Sequence, residues 1–289
     1  MIKQTHGLRA VLLCLIFSSF YPVNVFSMDP ASTVTLETRY LTESDVEAQS
    51  GQLSISETKF SFRHEFKLEN GMPLALSLQT KHLDINSDVG VYLPSNLVSR
   101  TLGLGVKFPA PFTESENYFI GLDIMPSFFT DGWDKTSASS FRVPGRAYLI
   151  YKKDDNCIVF AGLSIRPNFD TKVLPLIGFI YRPNEKWELN FSSDNPQITY
   201  NLTEKSKLFW EADIVNDEYE VEYNSVKGRV LFFREISTGA GFKHDFSKAI
   251  SSLISAGCVF NRMIRYEDDN GKIQPDAGVY IKARLNINF

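Results

Sequence analysis

The final thirteen residues, 277–289, alternate strictly between apolar and polar side chains. The apolar set is Val279, Ile281, Ala283, Leu285, Ile287 and Phe289, and the polar set is Tyr280, Lys282, Arg284, Asn286 and Asn288. Because successive side chains of a β-strand point to opposite faces, such a segment must lie between an apolar and a polar environment. The pattern therefore predicts a strand at this end of the chain, in a soluble β-sandwich or in a membrane barrel.

The same alternation recurs along the rest of the chain. Leu74, Leu76 and Leu78, for example, alternate with small or polar residues. After residue 27, no apolar stretch is long enough for a membrane-spanning helix. We count fifteen strand-like segments, which begin near Thr33, Leu53, Pro73, Leu97, Asn117, Gly145, Cys157, Val173, Lys186, Gln197, Ser206, Val226, Thr238, Ile250 and Ala277. The chain is therefore predicted to be all-β.

An odd number of strands would place the two ends of the chain on opposite sides of a membrane. The segments 186–192 and 197–202 are shorter than the roughly nine to eleven residues that cross the hydrocarbon core. We therefore predict that they form one interrupted strand of a transmembrane antiparallel up-and-down β-barrel with about 14 strands, with about 12 as the alternative. The turns at 70–71 and 247–248 then lie at the end that carries the chain termini. The longer polar stretches lie at the opposite end, at 42–52, 84–96, 130–144 and 263–275.

The N-terminal segment has the composition of an export signal. Basic residues precede an apolar run at 10–20, and a stretch suited to signal-peptidase cleavage ends at Ser27. The apolar run is about half as long as the roughly 20 residues of a membrane-spanning helix. We predict a cleaved signal peptide at 1–27 and a barrel domain at 28–289.

The aromatic residues give a second indication of a membrane location. The alternating C-terminal segment ends on Phe289. It resembles the last strand of bacterial outer-membrane β-barrels, which typically ends in Phe and is read by the barrel-insertion machinery, so Phe289 is the expected insertion signal. Aromatic residues also gather near predicted strand ends, where interfacial girdles belong. They are Tyr40, Phe108, Phe128, Phe129, Tyr151, Tyr181, Trp187, Phe246 and Tyr266. These features favour the cell outer membrane over the alternative, a soluble periplasmic β-protein.

A short motif carries a resemblance to a known family. It consists of Tyr181-Arg182-Pro183-Asn184, a strand with Trp187, and Pro196-x-Ile198-x-Tyr200. In this motif the chain resembles an uncharacterised, porin-like family of predicted bacterial outer-membrane β-barrel proteins with a domain of unknown function. The resemblance implies architecture and location, and it assigns no catalytic residue.

Composition and cysteine content exclude several classes of protein. The chain has 34 acidic and 30 basic residues, and an acidic balance argues against nucleic acid as a partner. After removal of the signal peptide the cysteines are Cys157 and Cys258, which lack the spacing of a zinc site. We expect two unpaired buried thiols, with one disulfide as the alternative.

The search for catalytic chemistry finds little. His244-Asp245-Phe246-Ser247 is the nearest approach to a barrel hydrolase motif, and it lies beside a predicted turn. The acidic run at 267–271 lacks the alternating ligands of a calcium loop. We therefore predict no enzyme, no catalytic residue, no cofactor and no metal, with a hydrolase that depends on His244 as the weaker hypothesis.

The polar faces of the predicted strands are the expected functional surface. The lumen-lining candidates are Arg63, Lys107, Asp123, Arg146, Glu211, Asp213, Arg229, Lys282 and Arg284. The glycines at 103, 105, 239 and 241 are expected to be lumen-facing small residues or bends. Eight strands enclose only side chains and sixteen to eighteen leave an aqueous channel, so about 14 strands permit a pore without requiring one.

Two functions follow from this surface. The first is a passive pore or small-solute binding barrel with a charged lumen. The alternative is a structural or adhesive barrel with a plugged lumen that acts through its extracellular loops. The expected partners are the lipid bilayer, the insertion machinery and small solutes.

Overall fold

The computed structural model describes residues 32–46, 49–68, 72–193, 195–223, 226–267 and 272–289. The predicted signal peptide and the turn at 70–71 lie outside the described residues. The strands are β1 (Ser32–Val46), β2 (Gln49–Lys67), β3 (Pro73–Ser87), β4 (Asn96–Pro109), β5 (Tyr118–Ile124), β6 (Ser127–Thr130), β7 (Phe141–Arg142), β8 (Gly145–Asp154), β9 (Cys157–Ile165), β10 (Val173–Asn184), β11 (Trp187–Ser192), β12 (Gln197–Asn201), β13 (Ser206–Tyr223), β14 (Val226–Asp245), β15 (Ile250–Tyr266), β16 (Lys272–Ile273) and β17 (Gly278–Asn288). Within the described part of the chain, no helix combines the length and apolar character needed to cross a bilayer.

The strands form one closed antiparallel barrel. Most strands pair with their chain neighbours, and β1 also pairs with β17, where Thr33 lies opposite Asn288. Hydrogen bonds of 3.0 Å in both directions between the backbones of Ser32 and Phe289 complete the closure. Three pairs of short segments, β5 with β6, β7 with β8 and β16 with β17, each form one interrupted strand, so the wall has 14 strands. The predicted fold class is confirmed.

The predicted division into strands is wrong at two places. The segments expected to form one interrupted strand are two separate strands, β11 and β12, in which Trp187 lies opposite Tyr200. The segments expected to begin at Val226 and Thr238 are instead one continuous strand, β14, of 20 residues. The charged residues Arg234 and Glu235 break the apolar alternation there without breaking the strand. The first difference adds one strand to the predicted number and the second removes one, so the total of 14 strands agrees with the prediction.

The two faces of the wall differ as the alternation predicts. Leu78, Leu104, Leu163 and Ile254 belong to a set of large exposed apolar side chains on the outward face. Of the predicted girdle residues, Tyr40, Tyr181, Trp187 and Phe246 are exposed. Phe129 and Tyr266, however, are buried in the barrel interior, so their assignment to a girdle is wrong.

An apolar core fills one half of the barrel interior. We call the end that carries Ser32 and Phe289 the terminal end, and the opposite end the loop end. The apolar plug is the set of fully buried inward side chains nearer the loop end, formed by Leu53, Leu83, Leu97, Tyr219, Leu231 and Tyr266. Burial of one such side chain contributes about 1.5–3 kcal/mol.

The apolar plug also explains why two predicted polar loops are partly strand. Most of 42–52 belongs to β1 and β2, and β15 and β16 take up part of 263–275. Val46, Ile264 and Ile273 from these segments are buried in the same core. Burial of these residues extends the strands beyond the length that polarity alone suggests.

Candidate functional site: the barrel lumen

A group of buried ion pairs lies in the lumen beside the apolar plug. Arg39 on β1 contacts Glu235 on β14 at 2.5 Å and Glu57 on β2 at 3.8 Å. The side chains of Arg39 and Glu235 are almost completely buried. Removal of charges from water is costly unless they are paired, which explains why these residues meet inside the barrel.

Three further pairs complete this group, which we call the ionic layer. They are Lys81 with Asp217, Lys282 with Glu211, and Arg284 with Glu37, the last at 2.5 Å. Both signs are therefore present in the ionic layer, and every charge named in it has an opposite partner.

The ionic layer encloses very little free space. Arg39, Glu57, Asp213 and Tyr280 are among the residues that line a cavity of about 20 Å³. A second cavity of about 10 Å³ lies between Arg39 and the apolar plug, against Leu83. A cavity needs roughly 10–15 Å³ to hold one water molecule, so each can hold about one. Such a water can bind the Nε and Nη2 atoms of Arg39, which are buried without a hydrogen-bond partner in the described residues.

The strand register places all nine predicted lumen residues on the inward face of the wall. They are Arg63, Lys107, Asp123, Arg146, Glu211, Asp213, Arg229, Lys282 and Arg284. Three of them belong to the ionic layer, and one more lines its cavity. The others lie apart from it, and a role of any of the nine in solute passage stays a prediction.

Arg63 lies in the part of the lumen that water reaches from the terminal end. Its side chain is 53% exposed and contacts Glu65, 57% exposed, at 2.9 Å. Lys107 on β4 is also exposed. Asp123 and Arg146 lie directly opposite each other on β5 and β8. At this end the lumen is therefore charged and open to water, and we call this part the vestibule.

Six members of the ionic layer were not among the predicted residues. They are Glu37, Arg39, Glu57, Lys81, Asp217 and Glu235. Glu37 and Arg39 are two residues apart on one strand, so the alternation places them on the same face as the predicted set, and this signal could have found them. Glu235 lies where sequence reasoning placed a strand boundary.

The middle of the inward face of β9 and β10 is apolar, between Ser164 toward the loop end and Arg182 toward the terminal end. Ile158 lies opposite Ile180, and Phe160 lies opposite Gly178. A side chain at position 178 would collide with the Phe160 ring, so glycine makes room for this aromatic residue. Leu176, farther along β10, is buried. The lumen thus has a charged side and an apolar side.

His244, the residue considered for catalysis, lies outside the lumen. The Nδ1 atom of His244 is 2.9 Å from the Ser206 hydroxyl, and its ring lies between Phe242 and Phe246 on the outward face near the terminal end.

Cys157 and Cys258 are free thiols, but Cys258 is exposed, so its predicted burial is wrong. Among the described residues, no group of His, Cys, Asp and Glu is arranged to hold a metal ion.

Two clefts at the loop end flank the segment 131–135. One has a volume of about 400 Å³ and the other about 450 Å³. Lys135 lies between them and contacts Asp131 at 3.2 Å. Burial disfavours the charge of Lys135, but the hydrogen bond to Asp131 and the attraction of Glu222 outweigh it and raise the pKa of the ammonium group. Trp133 adds an aromatic surface to the larger cleft.

A closed antiparallel barrel with an apolar outward face and buried charges inside has the architecture of outer-membrane β-barrels. The chain belongs to the family described as a domain of unknown function, DUF6268, whose model matches residues 31–274. The predicted resemblance to an uncharacterised outer-membrane barrel family is confirmed. No curated protein matches the chain.

The chain is similar to several solved outer-membrane structures. The COG4313 outer membrane channel from Pseudomonas putida F1 has a TM-score of 0.50 at 11% identity, over 94% of this chain and 100% of that one. The Pseudomonas putida toluene transporter TodX has a TM-score of 0.41 at 11% identity, over 91% and 90%. The NanC porin has a TM-score of 0.41 at 8% identity, over 89% and 100%.

Proposed function

We propose that the protein is an outer-membrane channel for small solutes whose lumen is closed in the half nearer the loop end. The observation that carries this proposal is the ionic layer. Charged groups at bilayer depth are costly, and in membrane proteins they mark solute and ion pathways. The ionic layer lies between a vestibule that water reaches and an apolar plug, which is the arrangement expected of a gated path.

The small cavities argue for a gated path over a permanently open one. The spaces of about 10 and 20 Å³ beside Arg39 are far smaller than a hydrated solute. Passage therefore requires the apolar plug and the ionic layer to rearrange. The exposed Arg63 and Lys107 would then contact the solute in the vestibule.

Conductance in planar bilayers tests the proposal. Tyr219 is fully buried in the apolar plug, whereas Tyr40 is exposed on the outward face. Tyr219→Ala should produce larger or more frequent conductance steps than the wild-type protein, because it removes a ring that blocks the lumen. Tyr40→Ala is the matched control and should conduct like the wild type. Bilayers that stay silent with both wild-type protein and Tyr219→Ala contradict the proposal.

A structural or adhesive barrel is the second candidate, and the apolar plug together with the clefts at 131–135 favours it. Replacement of residues 132–139 by a short Gly-Ser linker should then abolish adhesion of expressing cells. The replacement should leave the amount of inserted barrel unchanged. Normal adhesion after the replacement contradicts this candidate.

The proposed location has its own test. We infer that residues 1–27 are removed on export and that the remaining chain lies in the outer membrane. The N-terminal sequence of the mature protein should begin after Ser27. The protein should fractionate with outer membranes and migrate faster unheated than boiled on a detergent gel. Recovery in the soluble periplasmic fraction contradicts this location.

A further inference from the structure

The hydrogen-bonded wall is interrupted between β10 and β13. The strands between them are short, because β11 has 6 residues and β12 has 5, whereas β13 has 18. β11 pairs with β10 only from Gly178 onward, and β12 pairs with β13 only as far as Glu211. Nearer the loop end, β13 next meets Thr130 of β6, in a parallel bridge at Glu220.

Pro175 occupies the β10 edge of this interruption. The carbonyl of Ile177 accepts a hydrogen bond from Ser193 on the β11 side, whereas the amide of Arg182 bonds Asn156 on the β9 side. Along a strand the backbone N–H and C=O groups of successive residues point in turn to the two neighbouring strands. Pro175 is two residues from Ile177, so its backbone nitrogen points to the same side as the Ile177 carbonyl, away from β9. Proline has no donor for a ladder and is confined to edges and bulges. The missing neighbour thus explains how Pro175 can lie within β10.

Ile214 occupies the β13 edge. The amide of Ala212 bonds the Pro196 carbonyl at 2.9 Å, and the Asn216 carbonyl accepts from Arg166 at 2.7 Å. Ile214 lies two residues from both Ala212 and Asn216, so its backbone groups point to the same side as theirs, into the interruption. Unpaired backbone at bilayer depth is tolerated only where protein covers it or where it lines a cavity.

The loop 166–172 closes the side of the interruption nearer the loop end. The Asp170 amide donates to Glu218 on β13 at 2.8 Å. The Arg166 guanidinium lies 4.1 Å above the Phe169 ring, and Phe169 packs edge-on against Phe129, which in turn packs edge-on against Tyr219. Burial lowers the pKa of Arg166, while the nearby carboxylates Asp217 and Glu218 oppose this shift. Two polar contacts thus hold the loop to β13, and the Phe169 ring packs the loop against Phe129 of β6.

The outward face of the interruption is apolar, and so is the inward face of its β10 edge, whereas β13 presents Asp213 and Asp217 to the lumen. On the outward face Val173 is 52% exposed, Ile177 64% and Ile214 54%. On the inward face Leu174 and Leu176 continue the apolar side of the lumen toward the gap. A barrel lumen is usually polar, so an apolar stripe that runs to a gap in the wall is unusual.

We propose that this interruption is a lateral gate through which a small apolar solute passes between the lumen and the bilayer, with loop 166–172 as its closing element. The inference rests on the proposed channel function and specifies the solute class. The solute would follow Ile158, Ile180 and Phe160 along the inward face of β9 and β10 and leave beside Leu174. Loss of the Arg166 contact would favour the open gate.

Uptake of the apolar dye N-phenyl-1-naphthylamine by porin-deficient Gram-negative cells that make the full-length protein tests this gate. Arg166→Ala should raise dye uptake about tenfold, the shift expected when one hydrogen bond from a charged group is lost. Arg100→Ala is the matched control, because Arg100 also donates to a backbone carbonyl, that of Trp133, but away from the interruption. Its uptake should equal that of the wild type.

A second pair of variants tests the apolar stripe. Leu174→Asn places an amide on the inward face and should reduce dye uptake, whereas Leu163→Asn, on the outward face of the adjacent strand, should not. Heat-dependent migration verifies folding of every variant. Dye uptake that is equal in the wild type, Arg166→Ala and Leu174→Asn overturns the lateral gate. If Arg166→Ala raises only ionic conductance, the opening lies along the barrel axis, so the lateral gate is wrong while the proposed channel function stands.

Discussion

Glu211 and Lys282 form an ion pair inside the barrel although their strands, β13 and β17, are not neighbours in the wall. Their side chains are only 4% and 10% exposed. β14 and β15 lie between them. Gly239 of β14 lies opposite Glu211, and Gly257 of β15 lies opposite Gly239. Because neither glycine has a side chain, the carboxylate and the ammonium group can meet above the sheet.

Removal of one member of this pair should destabilise the barrel. Lys282→Met leaves the Glu211 carboxylate buried without its partner, which should cost about 3–5 kcal/mol of unfolding free energy. Replacement of both residues by apolar ones, Glu211→Leu with Lys282→Met, should recover much of that loss. Urea unfolding in detergent micelles measures both. Single variants within about 0.5 kcal/mol of the wild type would show that the pair contributes little.

Gly239 should not tolerate a side chain. A Cβ atom at this position would collide with the Tyr280 hydroxyl and approach the Ala256 carbonyl. Gly239→Ala should therefore cost about 1–3 kcal/mol, the range for overpacked interiors. Addition of Tyr280→Phe removes the closest atom and should restore part of the stability. Thermal unfolding of the two variants checks this, and equal melting temperatures for wild type and Gly239→Ala would refute the proposed collision.

Two leucines distinguish the apolar plug from the outward face. Leu231 is 0% exposed and Leu78 is 45% exposed. Leu231→Ala should reduce the unfolding free energy by about 2–5 kcal/mol, because it leaves a cavity in packed protein. Leu78→Ala removes the same atoms from a surface that faces outward, so a smaller loss is expected. Equal losses in denaturant titrations would mean that the plug is not packed as described.

Phe289 should affect assembly more than stability. Its backbone hydrogen bonds to Ser32 close the barrel, while its side chain is exposed. Phe289→Ser keeps the backbone bonds and removes the expected insertion signal. In cells it should lower the amount of folded barrel, and the purified variant should refold in detergent like the wild type. Wild-type amounts in the outer membrane would exclude this role.

The strands themselves could be predicted because alternation is a local property. Each segment with an apolar and a polar face must lie between two environments whatever its partners are. The predicted strand boundaries were wrong where a contact with a distant part of the chain determines the structure. The charge of Glu235 predicts an end of the strand, but Arg39, which lies almost 200 residues earlier in the sequence, neutralises this charge inside the barrel, and the strand continues. β11 and β12 are too short to be recognised alone, and they exist because each pairs with its neighbours.

The sequence by itself determined that the chain alternates, that it forms a barrel of about 14 strands, and that one set of faces carries charges of both signs. Only the tertiary structure decided what fills the interior. Near the loop end the inward face is apolar and packed, with Leu53 and Tyr219 in one core, while the charges pair in a layer beside it. The physical reason is that alternation distinguishes the two faces of a strand, whereas the contacts inside a barrel join strands that are distant in the chain.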